Sequence, residues 1–483
     1  PEPGTLNSSH PMSQSKEITP NTHDTFPMWK VIVMIVFPLS VWFSPLSLSP
    51  EGRKALTIAS LMIAAWGTEI FSHTLVGLIG CFLFWVCDVV EFSKAFGGFA
   101  SSTPWFCYSA VLFGTALSQS GLTRHLAYWV MLQYGSTYSR LIFGFTLLSI
   151  LLTFMVPSGP ACVVIKAAIA LGIMEATGFK PGSNVGRGIF VVLTYGASLF
   201  NKMVIAGASS IMARDMIEAQ TGVKMFWSYW FLAFLPVSLI SLWVCYRLTL
   251  WLFPPEKESL VESAVYLREE LKKIEGWSKP KIWAAVFATL ALSLWITDFW
   301  HHISPAKIGI GISLLAAIPF FGLLQSDDLK KVNYLPAFFV GTAASMGEVL
   351  VKTGATEALT TILFGWMTPL MTSPLSAVLT TFWTAFVYHL FLGSEISMLS
   401  TSMTPLLQFA QSHRLNAVAI GLIWTFAGAC KVFVYQSTIV MIGYSYGYFE
   451  ARDIVKFGAV IAVVESIIMV LVSLFYWPLI GLG

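Results

Sequence analysis

The chain has 483 residues, of which 56% are hydrophobic and only 11% charged, with a formal net charge of +3. A soluble chain of this length carries roughly a quarter charged residues, and a nucleic-acid binder shows a basic patch; neither pattern is present. The composition points to an integral membrane protein made of helices, because backbone polar groups in lipid must be satisfied within each segment.

Residues 1–28 form a polar tail without the apolar stretch of a signal peptide. Its Pro-Glu-Pro-Gly opening reads as an artificial leader ahead of a natural start at Met12. Apolar segments follow at 31–46, 55–71, 75–90, 104–118 and 126–133. The stretch 141–173 is interrupted by Pro157-Ser158-Gly159-Pro160, and 189–205 and 227–253 come next. A charged stretch, 254–281, carries Lys257, Arg268, Lys272, Lys273, Lys279 and Lys281. Its Leu260, Tyr266, Leu267 and Leu271 suggest an amphipathic helix within a solvated linker, placed on the cytoplasmic side by the positive-inside tendency. Then come 284–299, 308–324, 336–350 and 359–371. The stretch 375–410 is interrupted at Gly393-Ser394-Glu395, and 418–434 and 454–479 complete the chain.

The two halves resemble each other. Phe113-Gly114-Thr115-Ala116 precedes Ser120-Gly121 in the first, and Val340-Gly341-Thr342-Ala343 precedes Thr353-Gly354 in the second. Each half then has a long apolar segment broken by a turn, followed by a helix that breaks at a lysine: Asn201-Lys202 and Cys430-Lys431. Interrupted segments at corresponding places in two halves point to the binding site of a transporter. The first repeat is read as 29–253 with a hairpin near 141–176, and the second as 282–483 with a hairpin near 375–410.

Cys81, Cys87, Cys107, Cys162, Cys245 and Cys430 sit in or beside apolar runs without CxxC spacing, so buried free thiols are expected. The eighteen tryptophans suit interfacial anchoring. His301, His302 and His389 lack zinc spacing. No GxSxG, HExxH or Walker loop is present, so no enzyme activity, cofactor or metal is expected.

The run from Met216 to Lys224, continuing to Phe234-Leu235-Pro236-Val237, resembles the divalent anion/sodium symporter (DASS) family of di- and tricarboxylate transporters. So does Gly443-Tyr444-Ser445-Tyr446-Gly447-Tyr448 with Arg452-Asp453-Ile454-Val455-Lys456-Phe457-Gly458. The resemblance runs from about Trp29 to the C-terminus. It implies an all-α membrane fold with about 11 transmembrane helices and two re-entrant hairpins, in two inverted repeats. It also implies a homodimer whose transport domain moves as an elevator against a scaffold domain. The chain departs from the family's Ser-Asn-Thr hairpin tips, reading Ser158-Gly159-Pro160 and Ser394-Glu395-Ile396. Its unwound helices read Asn201-Lys202 leading to Gly207-Ala208-Ser209-Ser210, and Lys431 leading to Tyr435-Gln436-Ser437-Thr438. These departures tell against sodium coupling and against a standard dicarboxylate substrate.

A charge in mid-membrane costs about 2.5–3.5 kcal/mol on insertion scales, so such residues are functional candidates. Four are singled out: Lys166, Lys202, Glu395 and Lys431. An ammonium can occupy the kind of oxygen cage that holds sodium, and Lys202 and Lys431 are expected to replace two sodium ions; the bland alternative is snorkelling to an interface. Glu395 is expected to pair with a lysine in the empty site or to carry a coupling proton. Lys166 is read as snorkelling, paired with an acid, or touching substrate. Ser158, Gly159, Ser209, Ser394, Ser437 and Thr438 are the other candidate anion contacts, with Ser210 and Gln436 as further donors. Hairpin tips expose helix N-termini whose free N–H groups favour anions.

The leading expectation is a small-organic-anion carrier of the bacterial plasma membrane that favours anion exchange. Carboxylates, sulfonates and sulfate all stay open as substrates because the carboxylate signatures are missing; Lys202, Lys431 and Glu395 sum to a formal +1, which suits a monoanion or a dianion entering with a proton, and Lys166 would make it +2, which suits a dianion. The rivals are a proton-coupled symporter using Glu395 and a non-transporting sensor or intramembrane hydrolase.

Overall fold

The computed structural model describes residues 27–156, 158–274 and 276–482. Most of the polar tail with Met12, and Pro157 of the first interruption, lie outside the described residues. Among those described the chain is helical, with an isolated bridge between Thr137 and Ser259 and no strand.

The chain begins with α1 (Met28–Trp42), α2 (Pro50–Thr68), α3 (His73–Val86) and the single turn α4 (Phe92–Ala95). Ser49 starts α2 by accepting Gly52 N–H at 3.0 Å, with Pro50 at the first helical position, where its missing donor costs nothing. The first half continues with α5 (Ser102–Gln119) and α6 (Leu122–Tyr134), then α7 (Tyr138–Met155) and α8 (Gly159–Thr177), which fold into a hairpin. After it, α9 (Asn184–Phe200) stops short of α10 (Ala208–Thr221), and α11 (Trp227–Leu252) closes the half.

The charged stretch holds α12 (Val261–Lys273), followed by α13 (Lys279–Ile296), the turn α14 (Asp298–His301), α15 (Pro305–Ala316) and the short α16 (Ser326–Lys331). The second half repeats the order of the first. It has α17 (Leu335–Lys352) and α18 (Ala355–Phe364), the hairpin α19 (Pro374–Phe391) and α20 (Glu395–Ser412), then α21 (Ala417–Ala427), a break, α22 (Thr438–Ser445), and α23 (Ala451–Leu471). The repeat extends to backbone detail. The glycine between α5 and α6 has φ 77° and that between α17 and α18 has φ 69°, a region open to Gly121 and Gly354 because they lack a Cβ.

Among the described residues, seven helices are long and apolar enough to cross a membrane, and four shorter apolar ones accompany them. Several element ends shift from the sequence expectation. The helix begun near 418 stops at Ala427, and the last long helix gives way after Leu471 to a π turn and a 3-10 turn. Two readings are corrected. Cys87 is exposed at the end of α3, where the chain leaves the helix; the other five cysteines are buried and all six are free. The charged stretch is not simply solvated, because α12 docks on α6 and α8 through its buried Leu267 and Ser263. Tyr266 on the same face reaches Gly172, and its hydroxyl lies 3.3 Å from that of Tyr128.

The two halves exchange partners at their breaks. The segment after the second break, α22, lies on α8 and α9, while α10, after the first break, lies on α20 and α21. Phe190 of α9 stacks on Tyr448 beyond α22 with ring centres 4.2 Å apart. Small residues allow these approaches: a Cβ on Gly159 would collide with Ile439, and one on Gly443 with Thr194. Membrane helices pack this way because lipid offers no hydrophobic drive to hold them together.

Gly458 of α23 fits directly against the carbonyl of Lys431 and the hydroxyl of Tyr195, so α23 is the wall behind the second break. Gly458→Val should lower the melting temperature of the purified protein by several degrees, as overpacking costs about 1–3 kcal/mol. Gly311→Ala, where a Cβ meets nothing within 4 Å, should leave it unchanged. An unshifted melting temperature for Gly458→Val would contradict this packing.

Candidate functional site

Both breaks free backbone groups that side chains take up again, as irregular backbone at membrane depth requires. In the first, Trp230 donates its indole N–H to the Lys202 carbonyl at 2.8 Å, and Ser210 donates to the Asn201 carbonyl at 3.3 Å. In the second, the buried Gln436 side-chain oxygen accepts from the N–H of Val432 and Phe433, both at 2.7 Å. Its amide group donates to the His389 carbonyl at 3.3 Å. Gln436 and Ser210, read from sequence as candidate donors to the anion, are thus engaged with backbone.

The hairpin tips meet these breaks. Ser158 caps α8 by accepting Ala161 N–H at 3.4 Å, and Ser394 caps α20 by accepting Ser397 N–H at 3.5 Å. Gly159 sits against Ile439 of the opposite half, with Asn201 beyond. Gly393, before the second tip, packs against the Tyr435 carbonyl and the side chain of Glu69. Ser437 caps α22 by accepting Ile439 N–H at 3.2 Å, while Thr438 is exposed.

The centre of the arrangement is charged. Lys202 and Lys431 are each 1% exposed, which removes the snorkelling alternative. Glu395, the first residue of α20, places one carboxylate oxygen on the Lys202 ammonium and the other 3.5 Å from Lys431 Nζ. The lysines thus come from two different breaks, and the carboxylate between them from a hairpin tip. Lys202 also donates to Ser209 Oγ at 3.2 Å. Lys431 meets the Gly428 carbonyl and His389 Nε2, the latter at 2.9 Å. His389 Nδ1 lies 3.0 Å from the Leu392 carbonyl. A proton on Nδ1 satisfies both contacts, leaving Nε2 to accept from the ammonium.

Lys166 stands apart. It is fully buried and donates to Ser149 Oγ at 2.7 Å inside the first hairpin. It neither snorkels, nor pairs with an acid, nor joins Lys202 and Lys431; the Ser149 hydroxyl meets its ammonium between α7 and α8.

Two contributors escaped the sequence reading. His389 lies far from Lys431 in the chain, and only the fold brings them together. Glu465, in the middle of α23 and fully buried, receives the Cys430 thiol at 2.5 Å, directly behind Lys431. It meets the same rarity criterion that singled out Lys166, so an acid inside a long apolar helix was the available signal. Among the described residues no cluster of three His, Cys, Asp or Glu side chains could hold a metal ion.

The geometry gives a cationic pair, buried between two hairpin tips and covered by a carboxylate that is 17% exposed. Such a pair attracts an anion once the carboxylate moves away.

The family described as "Sodium:sulfate symporter transmembrane region" matches residues 26–482. The chain is similar to the citrate/succinate antiporter of Escherichia coli K12, 23% identical over 403 residues and covering 80% of each chain. It is also similar to the chloroplastic dicarboxylate transporter 2.1 of Arabidopsis thaliana, 25% identical over 453 residues, 88% of this chain and 76% of that one. In fold it is similar to the Alcanivorax borkumensis YdaH transporter, with a TM-score of 0.55 and 13% identity over 90% of this chain and all of that one. The motifs that follow the two breaks, the helical architecture and the match along almost the whole length agree: the chain belongs to the sodium:sulfate symporter family, the DASS family of its sequence motifs, and is a multi-pass membrane transporter rather than an enzyme.

Proposed function

We propose that this protein is a secondary carrier of small carboxylates, in which Lys202 and Lys431 hold the anion's charges in place of sodium ions. The observation that carries this reading is the Glu395 carboxylate bridging the two buried lysines. A carboxylate already occupies the position that a substrate carboxylate would take. The similarity to a citrate/succinate antiporter and a dicarboxylate transporter supports di- and tricarboxylates over sulfate and sulfonates.

In this account the hairpins 141–176 and 375–410, with the broken helices of repeats 29–253 and 282–483, form a transport domain. It moves as an elevator against a scaffold domain within a homodimer, and 254–281 joins the repeats. The arriving anion displaces Glu395 from the lysines. Ser209 already touches Lys202, and the caps Ser158, Ser394 and Ser437, with Gly159 and Thr438 beside them, are the further anion contacts in this reading.

Exchange is favoured because the positive charges cannot leave. With Glu395 in place the three groups still sum to +1, whereas a bound dianion neutralises both lysines and the displaced Glu395, already partly exposed, keeps its charge in water. Burying an uncompensated ion costs several kcal/mol even after relaxation, so the loaded domain moves faster than the empty one. The partial exposure of Glu395 favours a second reading, in which it picks up a proton as the anion displaces it and the carrier runs as a proton-coupled symporter.

Uptake of labelled succinate into proteoliposomes should be equal in sodium, potassium and choline buffers. A saturable requirement for sodium would overturn the lysine assignment. Lys202→Met and Lys431→Met should each weaken succinate binding by about 100-fold or more, since truncating one partner of a buried charge pair costs roughly 2–5 kcal/mol. The melting temperature of the protein without anion should change much less. Transport by either variant at the wild-type rate would show that the anion sits elsewhere.

A further inference from the structure

Glu465 differs from the other buried acids among the described residues. Asp298 accepts the N–H groups of Trp227 and Ser228 at the start of α11, and Asp453 accepts Glu450 N–H in the capping box of α23. Each answers donors that a helix N-terminus leaves free. Glu465 has no such duty. It lies in the interior of α23, accepts the Cys430 thiol at 2.5 Å through one carboxylate oxygen and leaves the other without a hydrogen-bond partner, with Ser241 of α11 and Lys431 nearby.

The groups that face it come from every side of its pocket. Cys245 stands on α11 and Tyr195 on α9. Cys430 and Lys431 lie in the second break, and His389 of α19 touches the far side of the Lys431 ammonium. Lys431 is the cation among these groups, and it is also the group that Glu395 covers.

Charge therefore ties Glu465 to the anion site. With Glu395 on the lysines, Lys202, Lys431 and Glu395 sum to +1, and an ionised Glu465 brings the buried cluster to zero. With a dianion on the lysines and the displaced, partly exposed Glu395 turned to water, Lys202 and Lys431 are already neutralised, and an ionised Glu465 becomes an uncompensated buried charge.

We infer that Glu465 is a protonation site of the carrier, linked through Lys431 to occupancy of the anion site, and that its proton decides between exchange and net flux. The inference rests on the carboxylate reading given above. At acid pH Glu465 keeps its proton through the cycle, the empty domain carries +1, and return requires a bound anion. At alkaline pH Glu465 loses its proton when the anion leaves. The empty domain is then neutral and returns by itself, and a proton from the surrounding water goes back onto Glu465 with the next dianion. The same carrier exchanges anions at low pH and performs proton-linked uptake at high pH.

The test measures uptake of labelled succinate into vesicles preloaded with succinate, divided by uptake into empty vesicles. For the wild type this ratio should fall several-fold from mildly acid to mildly alkaline pH. Glu465→Gln should hold it near its acid value throughout. A Glu465→Gln ratio that tracks the wild type would overturn the inference. Glu465→Asp, which keeps a carboxylate, should retain the fall with a displaced midpoint, and a flat profile would count against the inference. Calorimetry of succinate binding to the wild type, in two buffers of different ionisation heat, needs no variant. It should show about one proton taken up per succinate at alkaline pH and none at acid pH. Binding without proton uptake at any pH contradicts this inference alone, whereas absence of succinate binding contradicts the carboxylate reading as well.

Discussion

Two ammonium groups buried in one membrane protein are each expensive, and the structure brings them to a single carboxylate. Glu395 lies between Lys202 and Lys431. Removing either lysine from water costs several kcal/mol, which the shared carboxylate offsets only while it stays in place. Much of the surrounding architecture serves that contact. Each lysine needs a break in its helix, each break needs a side chain to take up its freed backbone, and the carboxylate needs a hairpin tip that reaches both.

The crossing of the two halves follows from this. A break is tolerable in lipid only where protein surrounds it. The helix after each break lies on the hairpin of the other half or on the helix before its break, so each half shields the other's irregular backbone. Tight glycine contacts at 159, 443 and 458 make that shielding close. The same closeness brings both lysines to one carboxylate at the second tip.

Much of this was legible in the sequence. Lys202 and Lys431 stand at matching points of two similar halves, and charges in apolar segments are rare enough to be noticed one by one. The glycines at 121 and 354, the hairpins and the breaks all came from the same comparison of halves. What the sequence could not show was which way the side chains point. Lys166 was left open between snorkelling, pairing with an acid and touching substrate, and its helix turns it onto Ser149 and away from the cluster. Gln436 looked free to meet an anion, but the unwound backbone beside it had the stronger claim. His389 showed no pattern at all, because its partner is distant in the chain. Glu465 was visible by rarity but could be valued only once Lys431 was seen in front of it.

The central claim is that a substrate carboxylate takes the place of Glu395 on the two lysines. A cryo-electron microscopy map of the protein in lipid nanodiscs with saturating succinate tests it directly. The account predicts succinate density within hydrogen-bonding reach of Lys202 and Lys431, with the Glu395 carboxylate withdrawn from both. Succinate bound elsewhere, or bound while Glu395 still bridges the two lysines, would contradict it.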